Sequence, residues 1–267
     1  MKPNIIDDIE VYHPEISREH EDFDSRHLDN LYNAENKLFW SISRKEYITK
    51  MFDKHVSCNS EIIEIGAGTG NVSRSLVEHG YKNISVGEMH LSGLRYARSY
   101  GIERCYQFDL LKAPFNGKFD TVCMFDVLEH IEDDDLALSQ SNKMLKKGGL
   151  LALTVPAHMC LWNRSDRVVG HKRRYSKKEL HDKMTRAGFE VIEVEYFFIL
   201  ITPLLFLRKL LDRDDGSPVR KNENFKNLKL NWLTNIVLLS ISRFEEKIRK
   251  WIPNKFGGSV FIIGRKL

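Results

Sequence analysis

Residues 61–70 read Glu61-Ile62-Ile63-Glu64-Ile65-Gly66-Ala67-Gly68-Thr69-Gly70, and Asn71-Val72-Ser73-Arg74-Ser75-Leu76-Val77-Glu78-His79-Gly80 follow. The opening apolar run, rich in β-branched side chains, predicts a buried parallel strand. It breaks into three glycines at alternate positions. Val72, Leu76 and Val77 then recur at helical spacing, and Gly80 is placed to cap the end of that helix. Strand, glycine turn and helix open a βαβ unit of the nucleotide-binding type. The glycines let the backbone pass against a ligand and aim helix N-terminal amides at it.

The spacing of the glycines narrows the ligand. A dinucleotide fingerprint requires G-x-G-x-x-G, but Asn71 occupies the third slot and the third glycine comes one place early, at Gly70. The Gly-Lys-Ser/Thr of a phosphate-cradling loop is absent. The form E-h-G-x-G-x-G resembles the first motif of the class I S-adenosylmethionine (SAM) methyltransferases. That resemblance implies a Rossmann-like α/β fold: a seven-stranded, mainly parallel sheet with helices on both faces and an antiparallel last strand. Glu64, Gly66, Ala67, Gly68 and Gly70 are the expected cofactor-binding residues of the turn.

The chain has 267 residues, 42% of them hydrophobic, which suits one α/β domain with an insertion. Its net charge of +4 is too small to argue for nucleic acid. Cys58, Cys105, Cys123 and Cys160 show no C-x-x-C spacing and read as free thiols of a reducing compartment, so a cytoplasmic location is expected. No signal-peptide pattern opens the sequence. No apolar run approaches the roughly 20 residues of a membrane span.

Four further landmarks follow the turn in order. Asn83-Ile84-Ser85-Val86-Gly87 predicts a second strand with Glu88 at its tip, placed to hold a ribose diol, and Met89 beside it can pack on the adenine. Cys105 to Leu111 predicts a third strand ending at Asp109. The resemblance implies that Asp109 accepts from the adenine amino group, with Phe108 or Leu110 covering the ring. Phe119 to Phe125 predicts strand four, followed by Asp126-Val127-Leu128-Glu129-His130. Gly148-Gly149 precedes the apolar strand five, which ends at Pro156. The D/N-P-P-Y/F motif of DNA amino methyltransferases is missing, so no nucleic acid substrate is expected.

Asp126, Glu129 and His130 stand at i, i+3 and i+4, one face of a helix. By resemblance to ubiquinone O-methyltransferases, that face could seat a divalent cation. Asp126 is shorter than the glutamate those enzymes carry, which favours a metal-free site. Phe125 and Asp126 are then assigned to the cofactor, with Asp126 near the methionine amino group and His130 facing the acceptor. Upstream, Phe39-Trp40-Ser41-Ile42-Ser43-Arg44-Lys45-Glu46-Tyr47-Ile48 resembles the N-terminal helix of quinone-biosynthesis O-methyltransferases. The resemblance implies that Arg44 pairs with the SAM carboxylate; otherwise it is a solvated helix charge.

After strand five comes a long basic loop, Ala157 to Ser176. Its Leu-Trp…Asp…Gly-His-x-Arg-Arg-Tyr-Ser pattern resembles a bacterial branch of the same superfamily. Loops at the carboxyl ends of parallel strands bind ligands. Trp162, Asp166, Arg173, Arg174 and Tyr175 are therefore expected to bind substrate, and His171 joins His130 as a candidate base. Residues 1–57 are expected to be a helical arm or lid, 58–198 the SAM-binding core, 199–256 a helical insertion and 257–267 the last strand of the core. The insertion reads as an apolar cap packed on the domain, with peripheral membrane contact as the other reading. The expected reaction is methyl transfer to an O, N or C nucleophile of a small-molecule acceptor, lipid-like and glycan-linked ones included. The rival readings are a non-catalytic interaction subunit and an NAD-dependent oxidoreductase.

Overall fold

The computed structural model describes residues 2–16, 28, 32, 34–211, 214, 216 and 230–267. Residues 17–27 of the expected arm, and Ser217 and Pro218 of the polar loop near Asp214, lie outside them. The chain opens with β1 (Asn4–Ile6) and β2 (Ile9–Val11), followed by helix α1 (Phe39–His55). The glycine turn links β3 (Glu61–Ile65) to α2 (Asn71–Glu78). β4 (Asn83–Glu88), α3 (Leu91–Ser99), β5 (Arg104–Gln107), β6 (Phe119–Phe125), α4 (Asp134–Met144) and β7 (Leu145–Pro156) complete the parallel part. α5 (Arg164–Val168), α6 (Lys177–Arg186) and β8 (Phe189–Phe197) follow, then α7 (Thr202–Leu211), α8 (Trp232–Ile248) and β9 (Ser259–Lys266).

Among the described residues the strands form one sheet in the order β1-β2-β5-β4-β3-β6-β7-β9-β8. The seven strands from β5 to β8 in that order are the expected ones. β3 to β7 run parallel, and β9 inserts antiparallel to both β7 and β8. The N-terminal arm adds two more. Asp7 and Asp8, both at positive φ (52° and 58°), make the two-residue turn of a β1–β2 hairpin, and β2 pairs in parallel with β5. Ile9 and Val11 bury themselves against Val86, Leu94 and Ala97, which is why this polar segment stays on the sheet.

β3 explains the sheet's sidedness. Ile62 packs among Tyr47, Ile48, Phe52 and Leu76 of α1 and α2. Ile63 packs on the other face, with Ala137, Leu138, Leu180 and Met184 of α4 and α6. Both isoleucines are fully buried, the burial expected of a strand covered on both sides. All the parallel strands therefore deliver their carboxyl ends, and the loops that follow them, to one edge of the sheet.

The insertion departs from expectation. α7 and α8 form the predicted helical pair, but the apolar stripe of α8 is not packed inward: Leu233, Val237 and Phe244 are exposed. The contacts that tie α8 to α1 and the residues before it are polar. Arg243 pairs with Glu46 and Lys50 with Glu246, while Asn235 bonds the backbone of Lys37 and Phe39. Only Ser242 and Glu245 are buried along its length.

Candidate functional site

The glycine turn is built by its own backbone. Gly66 and Gly68 sit at φ +63° and +56°, and the Gly66 N–H donates to the Gly87 carbonyl at 2.8 Å. A Cβ on Gly66 would lie 2.6 Å from Val127, whereas one on Gly68 would meet, among the described residues, only Leu28, at 3.5 Å. Gly66 is thus required by packing, and Gly68 faces open space. Gly70, also expected to line the cofactor site, does not: it is the left-handed N-cap of α2, and a Cβ there would collide with Ala97 at 2.7 Å. Glu88 ties the turn together. Its carboxylate accepts from Gly68 N–H at 3.0 Å and from the N–H groups of Met89 and His90 at 2.7 and 3.1 Å.

Glu64 lies beneath the turn and accepts from both the N–H and the hydroxyl of Ser73. Burial pushes its carboxyl from the ordinary 4.5 up to about 7, against the opposing pull of Ser73 and Arg44. Between those two values the unfolded chain is already ionised while the folded one holds its proton, so stability falls as pH rises through this window. Glu64→Gln is expected to match the parent in melting temperature near pH 4 and to exceed it by a few degrees at pH 8. The full shift is at most about 3 kcal/mol. Thermal melts across this range are the check, and a difference independent of pH would show that the carboxyl is not the cause.

α1 and the residues before it cover the turn. Glu35, buried, accepts from the Thr69 hydroxyl, and Lys45 donates to Asn71 at 2.9 Å. Arg44 lies over Trp40 and forms an ion pair with Asp126, whose other oxygen accepts from Thr154 at 3.0 Å. Its Nε is buried without a hydrogen-bond partner among the described residues. Asp109 accepts from Leu111 N–H, and its own N–H donates to His13 Nδ1 at 3.0 Å, so the arm ends at this corner of the site. His13 and Glu35 escaped the sequence reading; both stand in polar stretches with no pattern to mark them.

The segment after β6 is not the helix turn expected from its spacing. Asp126 takes a left-handed conformation (φ +56°), and only a single 3₁₀ turn, Leu128–His130, follows. Asp126 is therefore carried toward Arg44. Glu129 goes fully under the surface, where neither carboxyl oxygen has a hydrogen-bond partner among the described residues and Oε1 lies 3.8 Å from His171 Nε2. Burial, then the nearby Asp126, raise its pKa well above the usual range. His130 is pushed down to about 3 by burial and by the adjacent His171. It stays neutral at neutral pH and is a poor proton acceptor.

His171 has the better setting. Its ring stands edge-on to His130 with centroids 4.7 Å apart, and its Nδ1 lies 2.8 Å from Asp166. Asp166 also accepts two hydrogen bonds from Arg174, each 2.9 Å, and closes a capping box with Asn163 at the start of α5. Burial would raise the Asp166 carboxyl, but the His171 and Arg174 contacts outweigh it and hold it below its ordinary value. An ionised Asp166 keeps the proton of His171 on Nδ1 and leaves Nε2 as the acceptor.

Four expected substrate contacts are corrected by this geometry. Asp166 is buried behind His171, where its ion pairs hold it. Tyr175 is fully buried and donates to Asp134 at 2.8 Å. Arg173 turns to Asp134 and the Glu132 carbonyl, and Trp162 donates to Asp214. None of the four lines the cavity, which Arg174 does.

That cavity, about 750 Å³, joins these parts. At one end are Glu64, Gly66, Ala67, Gly68, Glu88, Met89, Phe108, Asp109 and Leu110. Arg44, Phe125 and Asp126 stand in its middle, and His130, His171 and Arg174 beyond them. Its far end is apolar, lined by Phe198, Ile201, Leu204, Leu205 and Leu238. Glu129, His130 and His171 each bring one ligand atom within 4.8 Å of the others, a donor set that fits a divalent metal.

A family model described as a methyltransferase domain matches residues 32–194, more than half of the chain. A ubiquinone biosynthesis O-methyltransferase of Xanthomonas oryzae pv. oryzae is 26% identical over 118 residues, covering 42% of this chain and 48% of that protein. The chain thus spans about half the length of the curated relatives it matches. Among solved structures, a SAM-dependent methyltransferase of Thermotoga maritima superposes with a TM-score of 0.55 at 20% identity, covering 91% of this chain and 96% of that one. A phosphoethanolamine N-methyltransferase of Haemonchus contortus, in complex with SAM, gives 0.54 at 18% identity, covering 84% of this chain and 52% of that one. At these identities the two structures establish the fold.

Proposed function

The chain belongs to the methyltransferase-domain family, the class I SAM-dependent methyltransferases, and from that premise we propose that it methylates a hydroxyl or other protonated nucleophile of an amphiphilic small molecule. The observation that carries this reading is His171, held by the buried Asp166 behind it, in the wall of a cavity whose far end is apolar. A methyl acceptor that is already a free amine needs no base, whereas a protonated one does.

The residues fit the donor. Arg44 and Asp126 present opposite charges side by side, matching the carboxylate and ammonium of the methionine end, and the buried Arg44 Nε offers an unused donor. Glu88 has the place and lone pairs for a ribose diol, and Phe108 and Leu110 flank Asp109 for the base. SAM supplies a methyl on a cationic sulfur: the acceptor's lone pair forms the new bond as the carbon–sulfur bond breaks, and sulfur keeps that electron pair. His171 Nε2 takes the acceptor's proton, and Asp166 stabilises the imidazolium that results. Arg174, fixed by Asp166, stands beside it for an acidic or hydroxylic part of the acceptor.

A second reading rests on the buried Glu129 carboxyl, which has no hydrogen-bond partner among the described residues. Glu129, His130 and His171 would hold a divalent ion that lowers the pKa of the acceptor hydroxyl. The expected result follows the base reading: transfer of labelled methyl from SAM into a host extract persists after chelation and depletion of metal. Loss on chelation with recovery on adding back one divalent metal would move the role of His171 from base to ligand. Identification of the labelled product then gives the methylated atom, and label on a carbon or a permanently unprotonated nitrogen would overturn the proposal.

A further inference from the structure

α8 buries only Ser242 and Glu245 and leaves Trp232, Leu233, Ile236, Val237 and Phe244 exposed, the reverse of an ordinary surface helix. α7 is similar: of its ten residues only Thr202 is buried. The two helices and the turn after them thus expose Leu207, Leu210, Leu211, Trp232, Ile236 and Trp251, at 53, 60, 81, 72, 48 and 77%. Apolar surface of this extent marks a place where something else sits.

The charge of the segment says what. Residues 199–256 hold twelve Lys and Arg against six Asp and Glu, a net +6, so the rest of the chain carries −2 of its total of +4. Lys247 and Lys250, on the last turn of α8 and just after it, are exposed beside Trp251. Tryptophans at both ends of α8 and basic residues around an apolar face are the pattern of a helix lying in the headgroup layer. Among the described residues no helix is long and apolar enough to cross a membrane. The inner sides of the same two helices, through Leu204, Leu205 and Leu238, line the cavity that leads to His171.

We propose that α7 and α8 form a docking face for an anionic bilayer, from which an amphiphilic acceptor passes between them into the cavity. The route of the acceptor rests on the function proposed above; the docking face does not.

The test is flotation of the purified full chain with vesicles of phosphatidylcholine alone and of phosphatidylcholine mixed with phosphatidylglycerol. The chain is expected to float with the mixed vesicles, much less with the neutral ones, and less again at high salt. Leu207→Glu with Leu210→Glu, and separately Ile236→Glu with Val237→Glu, should each lower the bound fraction about tenfold or more. None of these side chains lines the cavity, so SAM affinity and melting temperature should stay as in the parent and certify folding. No flotation, flotation untouched by both pairs, or equal flotation with neutral vesicles overturns the proposal. A dimer that the same substitutions split, in a chain that ignores vesicles, would assign the face to a second copy instead. Methyl transfer measured without vesicles reads the enzymatic proposal separately.

Discussion

His171→Ala is expected to lower methyl transfer by about 10²–10⁴-fold, the range of a positioned general base, while SAM affinity stays within about twofold of the parent. The split follows from position: His171 lies beyond Asp126 from the glycine turn and touches none of the groups placed for the donor. His130→Ala should cost less, because a ring held near 3 is neutral and a weak base at neutral pH and serves by packing and orientation. Asp166→Asn separates positioning from chemistry. It keeps the size of the side chain, removes the charge that orients His171, and should lower turnover while SAM affinity holds. Turnover from labelled SAM, with donor affinity by calorimetry, reads all three. An active His171→Ala, or a donor affinity that falls in step with turnover, would remove His171 from the base role.

Gly68→Val should lower SAM affinity about 100-fold or more and leave a folded protein. Two effects add. Valine at φ +56° is strained by roughly 1–3 kcal/mol, and its methyls would project into space that, among the described residues, only Leu28 borders. Gly66→Val is the contrast: its side chain would press into Val127 and should be lost as insoluble or unfolded protein. Calorimetry on folded Gly68→Val decides the matter. Unchanged affinity would mean that the donor lies elsewhere. Arg44→Ala completes the map, since it should weaken SAM binding yet leave adenosine, which has no carboxylate, almost untouched.

The parts of this site that were legible in the sequence are those fixed locally. Alternate glycines after an apolar run dictate a turn whatever surrounds it, and an acid one βα unit later stands at the neighbouring strand's tip because parallel strands align their ends. Asp126 was misread because i, i+3 and i+4 spacing describes a helix only if the backbone is helical. Here Thr154 and Arg44, both distant in sequence, accompany a left-handed residue at that point. Asp166 and Tyr175 are expected to bind substrate because their basic loop follows the carboxyl end of a parallel strand. No pattern announces that an Asp will close a cap with Asn163 and neutralise Arg174, or that a tyrosine hydroxyl will find Asp134. Which way the apolar residues of α8 turn depends on Glu46 and Lys50, which belong to another helix.

The place of β9 has a consequence for how the chain reaches this structure. Among the described residues β8 pairs with β9 alone, and β9 is what joins it to β7, with Leu150 opposite Arg265. Until residues 259–266 arrive, β7 and β8 both present bare strand edges, and the exposed helices α7 and α8 are already made. Contacts of such long sequence separation form late, and loop closure over that distance sets the pace. Refolding should therefore pass through a species with the β3–β7 half assembled and its rim unpaired, in which aggregation competes with completion. A ligand at the glycine turn would find its strands in place before β8 joins the sheet, so donor binding can act as a scaffold for the last step of assembly.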